Sequence, residues 1–123
     1  MSENVVKNIS FGFAVRIVKL YRYLCEEKRE FVMSKQLLRA GTSVGAMVRE
    51  AEHAESKADF KHKMGIAQKE INETIYWLEL LKETDYLTNE QFESMNNDAI
   101  EIIKLITAII KTTKTNLTKT INN

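Results

Sequence analysis

The feature that most limits how this chain can fold is the complete absence of proline from its 123 residues. Proline breaks helices because it lacks an amide hydrogen and clashes with the preceding turn, so a chain without it can form long uninterrupted helices. Apolar residues recur at the three- and four-residue spacing of helices. All four glycines fall inside such stretches, which argues against strands: Gly12, Gly41, Gly45 and Gly65. The pattern predicts an all-α fold.

Four helical segments are predicted, each with a polar residue suited to cap its first turn. Ser, Thr and Asp side chains accept hydrogen bonds from the free N–H groups at a helix start. The candidate caps are Ser10, Ser34, a capping box at residues 56–59 and a second capping box at residues 88–91. Because the connectors between these segments are short, neighbouring helices should run antiparallel. We therefore expect an antiparallel up-down-up-down four-helix bundle.

A single domain is expected, since 123 residues can bury a core without disulfides or metals. We predict the bundle over residues 10–114, an N-terminal segment at residues 1–9, and a mobile C-terminal tail at residues 115–123. The second helix has a face of small residues, which predicts close packing with another backbone. More apolar residues occur than one core stripe needs, which predicts a stable homo-oligomer: Val15, Val18, Tyr23, Tyr76, Leu80, Ile103 and Ile110.

The sequence favours a protein of the reduced cytoplasm. It has neither an apolar run of about eighteen residues nor the pattern of an export signal, so we expect no membrane-spanning segment and no membrane partner. Its single cysteine, Cys25, has no second cysteine with which to form a disulfide within the chain. A cytoplasmic protein commonly keeps such a thiol reduced.

The sharpest candidates for a metal site are two acidic residues, each three positions before a histidine. Bundle di-iron sites use Glu-x-x-His pairs from facing helices, and this chain has Glu50 with His53 and Asp59 with His62. The apolar stripe places both histidines beside the core, and Asp59 is already expected to cap a helix. We therefore interpret both as solvated histidines and expect no metal.

Catalysis is not predicted either. Neither Cys25 nor Ser43 has a histidine nearby in the sequence to act as its base. The glycines follow no predicted strand, so they do not form a phosphate-binding loop. We expect no enzymatic activity and no cofactor.

Charge is balanced overall but segregated along the chain. Eighteen Lys and Arg face seventeen Asp and Glu, so net charge alone predicts neither a nucleic-acid nor a membrane partner. Basic residues recur at three-residue spacing in the first helix and continue along the second: Arg16, Lys19, Arg22, Lys35, Arg39 and Arg49. Repeated in an oligomer, this basic strip would contact phosphates of RNA or DNA. An ordinary solvated helix face is the alternative interpretation.

Short motifs spread over residues 10–110 resemble one protein family. They are Gln-Leu-Leu-Arg-Ala at residues 36–40, Thr42-Ser43-Val44, Glu50, Phe13-Ala14, Asp59-Phe60, Ile66-Ala67, Glu73 and Tyr86-Leu87. In order and spacing they resemble the 23S rRNA intervening-sequence four-helix-bundle proteins, encoded within intervening sequences of bacterial 23S ribosomal RNA genes. The chain is also similar to the accessory variability determinant protein of diversity-generating retroelements, a pentameric bundle that binds nucleic acid and a reverse transcriptase. It departs from the family pattern at Met47, Ala51 and Lys69-Glu70.

The resemblance implies a homo-oligomer, expected to be a pentamer, and structural roles for Arg39, Ser43, Glu50 and Glu73. Arg39 and Glu73 lie on adjacent predicted helices and are expected to pair. Two functions remain open. The first is a binding module whose basic strip contacts RNA or DNA backbone. The second is a protein-interaction scaffold that docks a partner protein and binds no nucleic acid.

Overall fold

The computed structural model describes the backbone of residues 2–122 and the side chains of residues 4–117. Its helices are α1 (Ser2–Glu26), α2 (Met33–Glu52), α3 (Lys57–Glu83) and α4 (Asn89–Asn122). The described backbone contains no strand. Each helix packs against two others, in the cyclic order α1, α2, α3, α4 and back to α1. The predicted all-α four-helix bundle is confirmed. Within residues 2–122, no helix combines the length and the apolar character that crossing a membrane requires.

The contacts between helices show that neighbours run antiparallel. Lys7 of α1 pairs with Glu52 near the end of α2, whereas Ile17 packs on Gly41 nearer its start. Contacts between α2 and α3, and between α3 and α4, follow the same reversal. The start of α1, the end of α2, the start of α3 and the end of α4 therefore share one end of the bundle.

The core lies between the four helices and consists of apolar side chains at helical spacing. Its largest fully buried members are Val6, Phe13, Ile17, Leu24, Leu37, Val44, Met64, Ile71, Leu78, Leu81, Ile102 and Ile106. Burying one large apolar side chain contributes about 1.5–3 kcal/mol. Burial of these stripes is what holds the helices together.

The predicted close packing of the small face of α2 is confirmed, and α1 is the helix that approaches it. A Cβ atom on Gly41 would lie 2.7–2.9 Å from side-chain carbons of Ile17. A Cβ atom on Gly45 would lie 3.3 Å from the carbonyl oxygen of Ser10. These two glycines therefore serve packing inside the bundle.

Helix α1 begins at Ser2, so residues 2–9 belong to it and do not form the separate segment predicted from the sequence. Val6 is buried in the core. Ser10 does not cap a helix: it is buried within α1, and its hydroxyl donates to the carbonyl oxygen of Lys7 at 3.2 Å. The prediction was wrong because serine suits both helix starts and such local bonds within helices.

Helix α4 continues to Asn122, through most of the predicted tail at residues 115–123. Leu117 is half-buried and extends the apolar stripe. The Thr113 hydroxyl donates to the carbonyl oxygen of Ile109 at 2.9 Å, so threonine is accommodated within the helix. The first and last residues of the chain lie outside the described backbone, and the mobility of the tail stays a prediction.

The predicted caps of α3 and α4 are confirmed at Ser56 and Thr88, but only α4 has a complete capping box. The Ser56 hydroxyl accepts the N–H of Asp59 at 3.0 Å, although the Asp59 carboxylate accepts the N–H of Glu55 and not that of Ser56. In α4 the box is reciprocal. The Gln91 side chain accepts the N–H of Thr88 at 2.9 Å, and the Thr88 hydroxyl accepts the N–H of Gln91 at 3.1 Å.

The cap of α2 is the buried carboxylate of Glu30, not the predicted Ser34. It accepts the backbone N–H groups of Val32 at 3.0 Å, Met33 at 3.1 Å and Ser34 at 2.7 Å. Ser34 is one residue inside the helix, and its hydroxyl donates to the Glu30 carbonyl oxygen at 2.8 Å. Burial raises the pKa of Glu30, but the hydrogen bonds from Ser34, Val32 and Met33 outweigh it, so the pKa lies below its ordinary value of 4.5.

We expect Glu30→Ala to lower the free energy of unfolding by about 1–2 kcal/mol at pH 7, because three N–H groups lose their acceptor. Since folding lowers the pKa of Glu30, its contribution is present above pH 4.5 and declines as the pH falls through the folded-state value. Urea unfolding at pH 7 and pH 3 should therefore show a smaller difference from the wild type in acid. Glu27→Ala, at an exposed position in the same connector, is the control; an equal loss in both variants would contradict the capping role.

Candidate nucleic-acid interface

Arg16, the first residue of the predicted basic strip, is tied to α4. Its guanidinium lies 2.5 Å from the Asp98 carboxylate and donates to the Ser94 hydroxyl at 2.7 Å and the Ser94 carbonyl oxygen at 3.2 Å. These bonds join the first and last helices of the chain. Because Asp98 neutralises its charge, Arg16 is poorly suited to contact a phosphate.

Three members of the strip remain available to contact a phosphate: Lys19, Arg22 and Lys35. All three are exposed, and none forms an ion pair with another of the described residues. Arg22 lies near the end of α1 and Lys35 near the start of α2, which share one end of the bundle. Residues 4–25 contain no Asp or Glu, so all the charged residues of this stretch of α1 are basic.

A groove of about 460 Å³ adjoins these residues, between α1 and the start of α4. It is lined by Arg16, Lys19, Leu20, Glu90, Gln91, Ser94 and Met95. Leu20 and Met95 give it an apolar floor, whereas Glu90 opposes the two cations in charge. The groove therefore adds shape beside Lys19 but does not extend the positive surface.

Arg49 keeps its charge but rests on an aromatic ring. Its guanidinium carbon lies 4.9 Å from the ring centroid of Phe11, a cation–π contact between α2 and α1. Phe11 is itself exposed, and the pair borders a groove of about 300 Å³ that also contains Thr42 and Ala46. Arg49 has no carboxylate partner among the described residues, so it retains a net positive charge at this surface.

Arg39 pairs with Glu73, as predicted, and also with Glu70 at 3.1 Å. The Trp77 indole N–H donates to the same Glu73 carboxylate at 3.0 Å. The hydrogen bond to Glu73 raises the pKa of Arg39, whereas hydrogen bonds from Trp77 and Arg39 lower the pKa of Glu73. Two carboxylates thus surround Arg39, which favours its structural role over its predicted role in the basic strip.

The other two residues with predicted structural roles make weaker contacts. The Ser43 hydroxyl donates to the carbonyl oxygen of Arg39 at 2.6 Å, a bond within α2. The exposed Glu50 carboxylate lies 3.8 Å from the Lys63 ammonium of α3. Neither position links the helices as Arg39 does.

The acidic and histidine pairs considered as metal ligands are not brought together. His53 and His62 are both exposed. Glu50 faces Lys63, and Asp59 is engaged in the cap of α3. Among the residues that the structure describes, no three His, Cys, Asp or Glu side chains are arranged to hold a metal ion.

The sequence did not predict which residues contact Arg16 and Arg49. Arg16 contacts Asp98, and Arg49 contacts Phe11. Residue spacing along one helix does not predict which residues of another helix lie opposite, so neither contact could be inferred. The pairing of Arg39 was accessible only through the resemblance to a family in which both positions recur.

We expect Arg39→Ala to lower the thermal midpoint, but only by the equivalent of about 1 kcal/mol or less, because the Arg39 side chain is 48% exposed and water screens the pair. Lys35→Ala is the matched control, since Lys35 is exposed on the same helix and has no ion-pair partner among the described residues. Thermal unfolding followed by circular dichroism measures both. Equal midpoints in the two variants would show that the ion pair contributes nothing measurable.

The chain is similar to known proteins over most of its length. The model of a family described as 23S rRNA-intervening sequence protein matches residues 2–108. A crystal structure from Bacteroides thetaiotaomicron VPI-5482, described as a protein with unknown function from the S23 ribosomal protein family, is 63% identical in sequence. It superposes with a TM-score of 0.90 and covers 90% of this chain and 99% of its own. None of the curated proteins matches the chain.

Proposed function

Because the chain belongs to the 23S rRNA-intervening sequence protein family, we propose that it is a homo-oligomeric binding protein that contacts RNA or DNA backbone through exposed cations. The observation that carries this proposal is the exposure of Lys19, Arg22 and Lys35 beside an acid-free stretch of α1. The expected pentameric state follows from the resemblance to this family and from the similarity to the accessory variability determinant protein. The unpaired thiol of Cys25 suits the bacterial cytoplasm as its location.

Exposed apolar side chains support self-association. Of the seven residues that the sequence singled out, Val15 and Tyr76 are exposed, whereas the other five are half-buried. The exposed large apolar side chains among the described residues are Val5, Phe11, Val15, Phe31, Val32, Tyr76 and Ile100. Val5, Phe11 and Val15 all lie on α1. Such surface is commonly covered by a second molecule.

We expect light scattering at micromolar concentration to give a mass near five times the 14.2 kDa of one chain. Val15→Glu should lower this mass, because it places a charge in the exposed apolar part of α1, whereas Ala108→Glu at an exposed position of α4 is the control. A wild-type mass near 14.2 kDa would reject the oligomer.

Counterion release gives the binding its physical basis. Each phosphate neutralised by Lys or Arg contributes about 0.9 to the salt slope for duplex DNA and about 0.7 for single strands. Three cations on one copy bind weakly. Repeated around an oligomer, they engage one long nucleic acid at several points, so affinity rises with strand length and without base-specific contacts.

Replacing Lys19, Arg22 and Lys35 together by Gln should lower the salt slope for a single-stranded RNA by about 2 per engaged copy, since about three contacts are lost. Arg16 is left intact because its removal would free Asp98 and disturb the contact between α1 and α4. The measurement is fluorescence anisotropy of labelled RNA across a salt series, with light scattering to verify the assembly.

The matched control makes the same change in net charge elsewhere on the surface. Lys69→Gln, Asn72→Asp and Asn97→Asp alter exposed residues of α3 and α4 by three charges in total. This control should bind RNA nearly as well as the wild type. Equal binding by both triple variants would remove Lys19, Arg22 and Lys35 from the interface.

A protein-interaction scaffold is the second candidate. It is favoured by the net charge of only +1 and by the exposed aromatic rings of Phe11, Phe31 and Tyr76. A wild-type protein that binds neither RNA nor DNA even at low salt, where electrostatic attraction is strongest, would establish the scaffold over the nucleic-acid binder.

Catalysis forms no part of the proposal. The Cys25 thiol lies 3.8 Å from the Ser34 hydroxyl, and the Ser43 hydroxyl donates to its own helix. Among the described residues, neither the Cys25 thiol nor the Ser43 hydroxyl is hydrogen-bonded to a histidine or a carboxylate.

A further inference from the structure

Helix α4 changes charge along its length. Its first half carries the acidic residues Glu90, Glu93, Asp98 and Glu101. From residue 102 onward the sequence has no Asp or Glu, and its charged residues are Lys104, Lys111, Lys114 and Lys119. The second half of α4 is therefore a second basic region, although the net charge of the chain is only +1. The predicted basic strip contains no residue of α4.

The basic half of α4 runs beside the start of α3. The Gln68 amide donates to the Thr107 hydroxyl at 3.0 Å, which sets the register of the two antiparallel helices. With Gln68 opposite Thr107, the antiparallel register places Lys111, one turn further along α4, at the level of about residue 64, and places Thr113 and Asn116 opposite Phe60 and Lys57. A shallow groove of about 210 Å³ marks this junction, and it is lined by Lys57, Phe60, Thr113 and Asn116.

We use the name lysine seam for three lysines near this junction: Lys57, which lines the groove, Lys61, one turn further along α3, and Lys111 of α4, one turn beyond Thr107. Lys57 and Lys111 are exposed, and Lys61 is half-buried. None of the three has an ion-pair partner among the described residues. Their charges are therefore available to a ligand.

The carboxylates at this end of the bundle are mostly engaged. Glu52 pairs with Lys7 at 3.0 Å. Asp59 accepts the N–H of Glu55 and lies 3.9 Å from Lys63. The exposed Glu55 side chain is the remaining acidic group in the connector before α3. Among the described side chains at this end, few carboxylates are therefore free to neutralise the seam lysines.

Helix stabilisation does not account for these lysines. Cations stabilise a helix at its C-terminus and destabilise it at its N-terminus, where the macrodipole is positive. Lys57 and Lys61 occupy the first two turns of α3, the unfavourable end. Lys111 lies three turns before the end of α4 at Asn122, outside the range in which the dipole acts.

We propose that the lysine seam is a second contact site for the phosphate backbone of a nucleic acid. This inference rests on the proposed function. It adds a second binding surface, at the opposite end of the bundle from Arg22 and Lys35. A strand that reaches both sites would follow the long axis of one copy. Lys111 lies beyond residues 2–108, so this site includes a part of the chain outside the family match.

An extended polyanion fits the seam better than a membrane surface does. The groove is shallow, and the cations are spread over two helices, as contact with a chain of phosphates requires. Amphipathic helices that lie on a membrane surface combine basic residues with apolar side chains that enter the lipid. None of the exposed large apolar residues in the described chain belongs to the first turns of α3 or to the second half of α4.

The test compares two triple variants with the same charge change. In one, Lys57, Lys61 and Lys111 become Gln; in the other, Lys69→Gln, Asn72→Asp and Asn97→Asp are combined. Against labelled single-stranded RNA, the seam variant should lose affinity by about tenfold and its salt slope should fall by about 2 per engaged copy. The second variant should bind like the wild type. Circular dichroism verifies that both remain folded.

A footprint on the wild-type protein gives an independent readout. Bound RNA should protect Lys57, Lys61 and Lys111 from acetylation by an amine-reactive reagent, whereas the exposed Lys69 should react at an unchanged rate. Mass spectrometry after proteolysis measures each lysine separately.

The outcomes separate this inference from the function on which it rests. If the seam variant binds RNA as tightly as the wild type, and bound RNA does not protect the seam lysines, the second site is overturned. The proposal that the protein binds nucleic acid would then still stand. Absence of wild-type binding to RNA and DNA at low salt overturns both. Binding of the seam to vesicles of anionic lipid in place of RNA overturns the assignment of the ligand.

Discussion

The contact between Ile17 and Gly41 is the constraint from which the positions of the candidate site follow. The fully buried Ile17 side chain occupies the space that a Cβ atom on Gly41 would need, and a Cβ atom on Gly45 would lie 3.3 Å from the carbonyl oxygen of Ser10. Such a contact tolerates no shift of one helix along the other, because close-packed interiors have few voids. It therefore sets the register of α1 on α2, which determines where the cations of α1 lie.

The distribution of charge over the bundle follows from that register and from the chemistry of the side chains. Arg16, Arg39 and Arg49 all engage groups on a neighbouring helix, whereas Lys19 and Lys35 have no ion-pair partner among the described residues. A planar guanidinium suits forked hydrogen bonds and contact with aromatic rings, whereas the strongly hydrated ammonium of lysine favours water. Three of the four arginines of the strip thus hold helices together, whereas its two lysines and Arg22 supply the accessible charge.

Helix ends illustrate how the same residue types serve different roles. Ser56 and Thr88 cap helices as their spacing predicts, but Ser10 and Ser34 bond to carbonyl oxygens inside or beside a helix. The N–H groups at the start of α2 are satisfied by Glu30, whose buried carboxylate reaches over the next four residues. A connector without serine or threonine at the cap position can therefore still end in a well-capped helix.

The sequence by itself determined the fold class, the order of four helices and two of their starts, because apolar spacing and capping boxes are local properties of the chain. It also identified every cation of the basic strip and, through the resemblance to a family, the pairing of Arg39 with Glu73. Only the tertiary structure decided which cations remain accessible, that α1 begins at Ser2, and that Lys57 lines a groove between the start of α3 and the second half of α4. These outcomes depend on the packing of residues far apart in the chain, and spacing along a single helix contains no information about what lies opposite it.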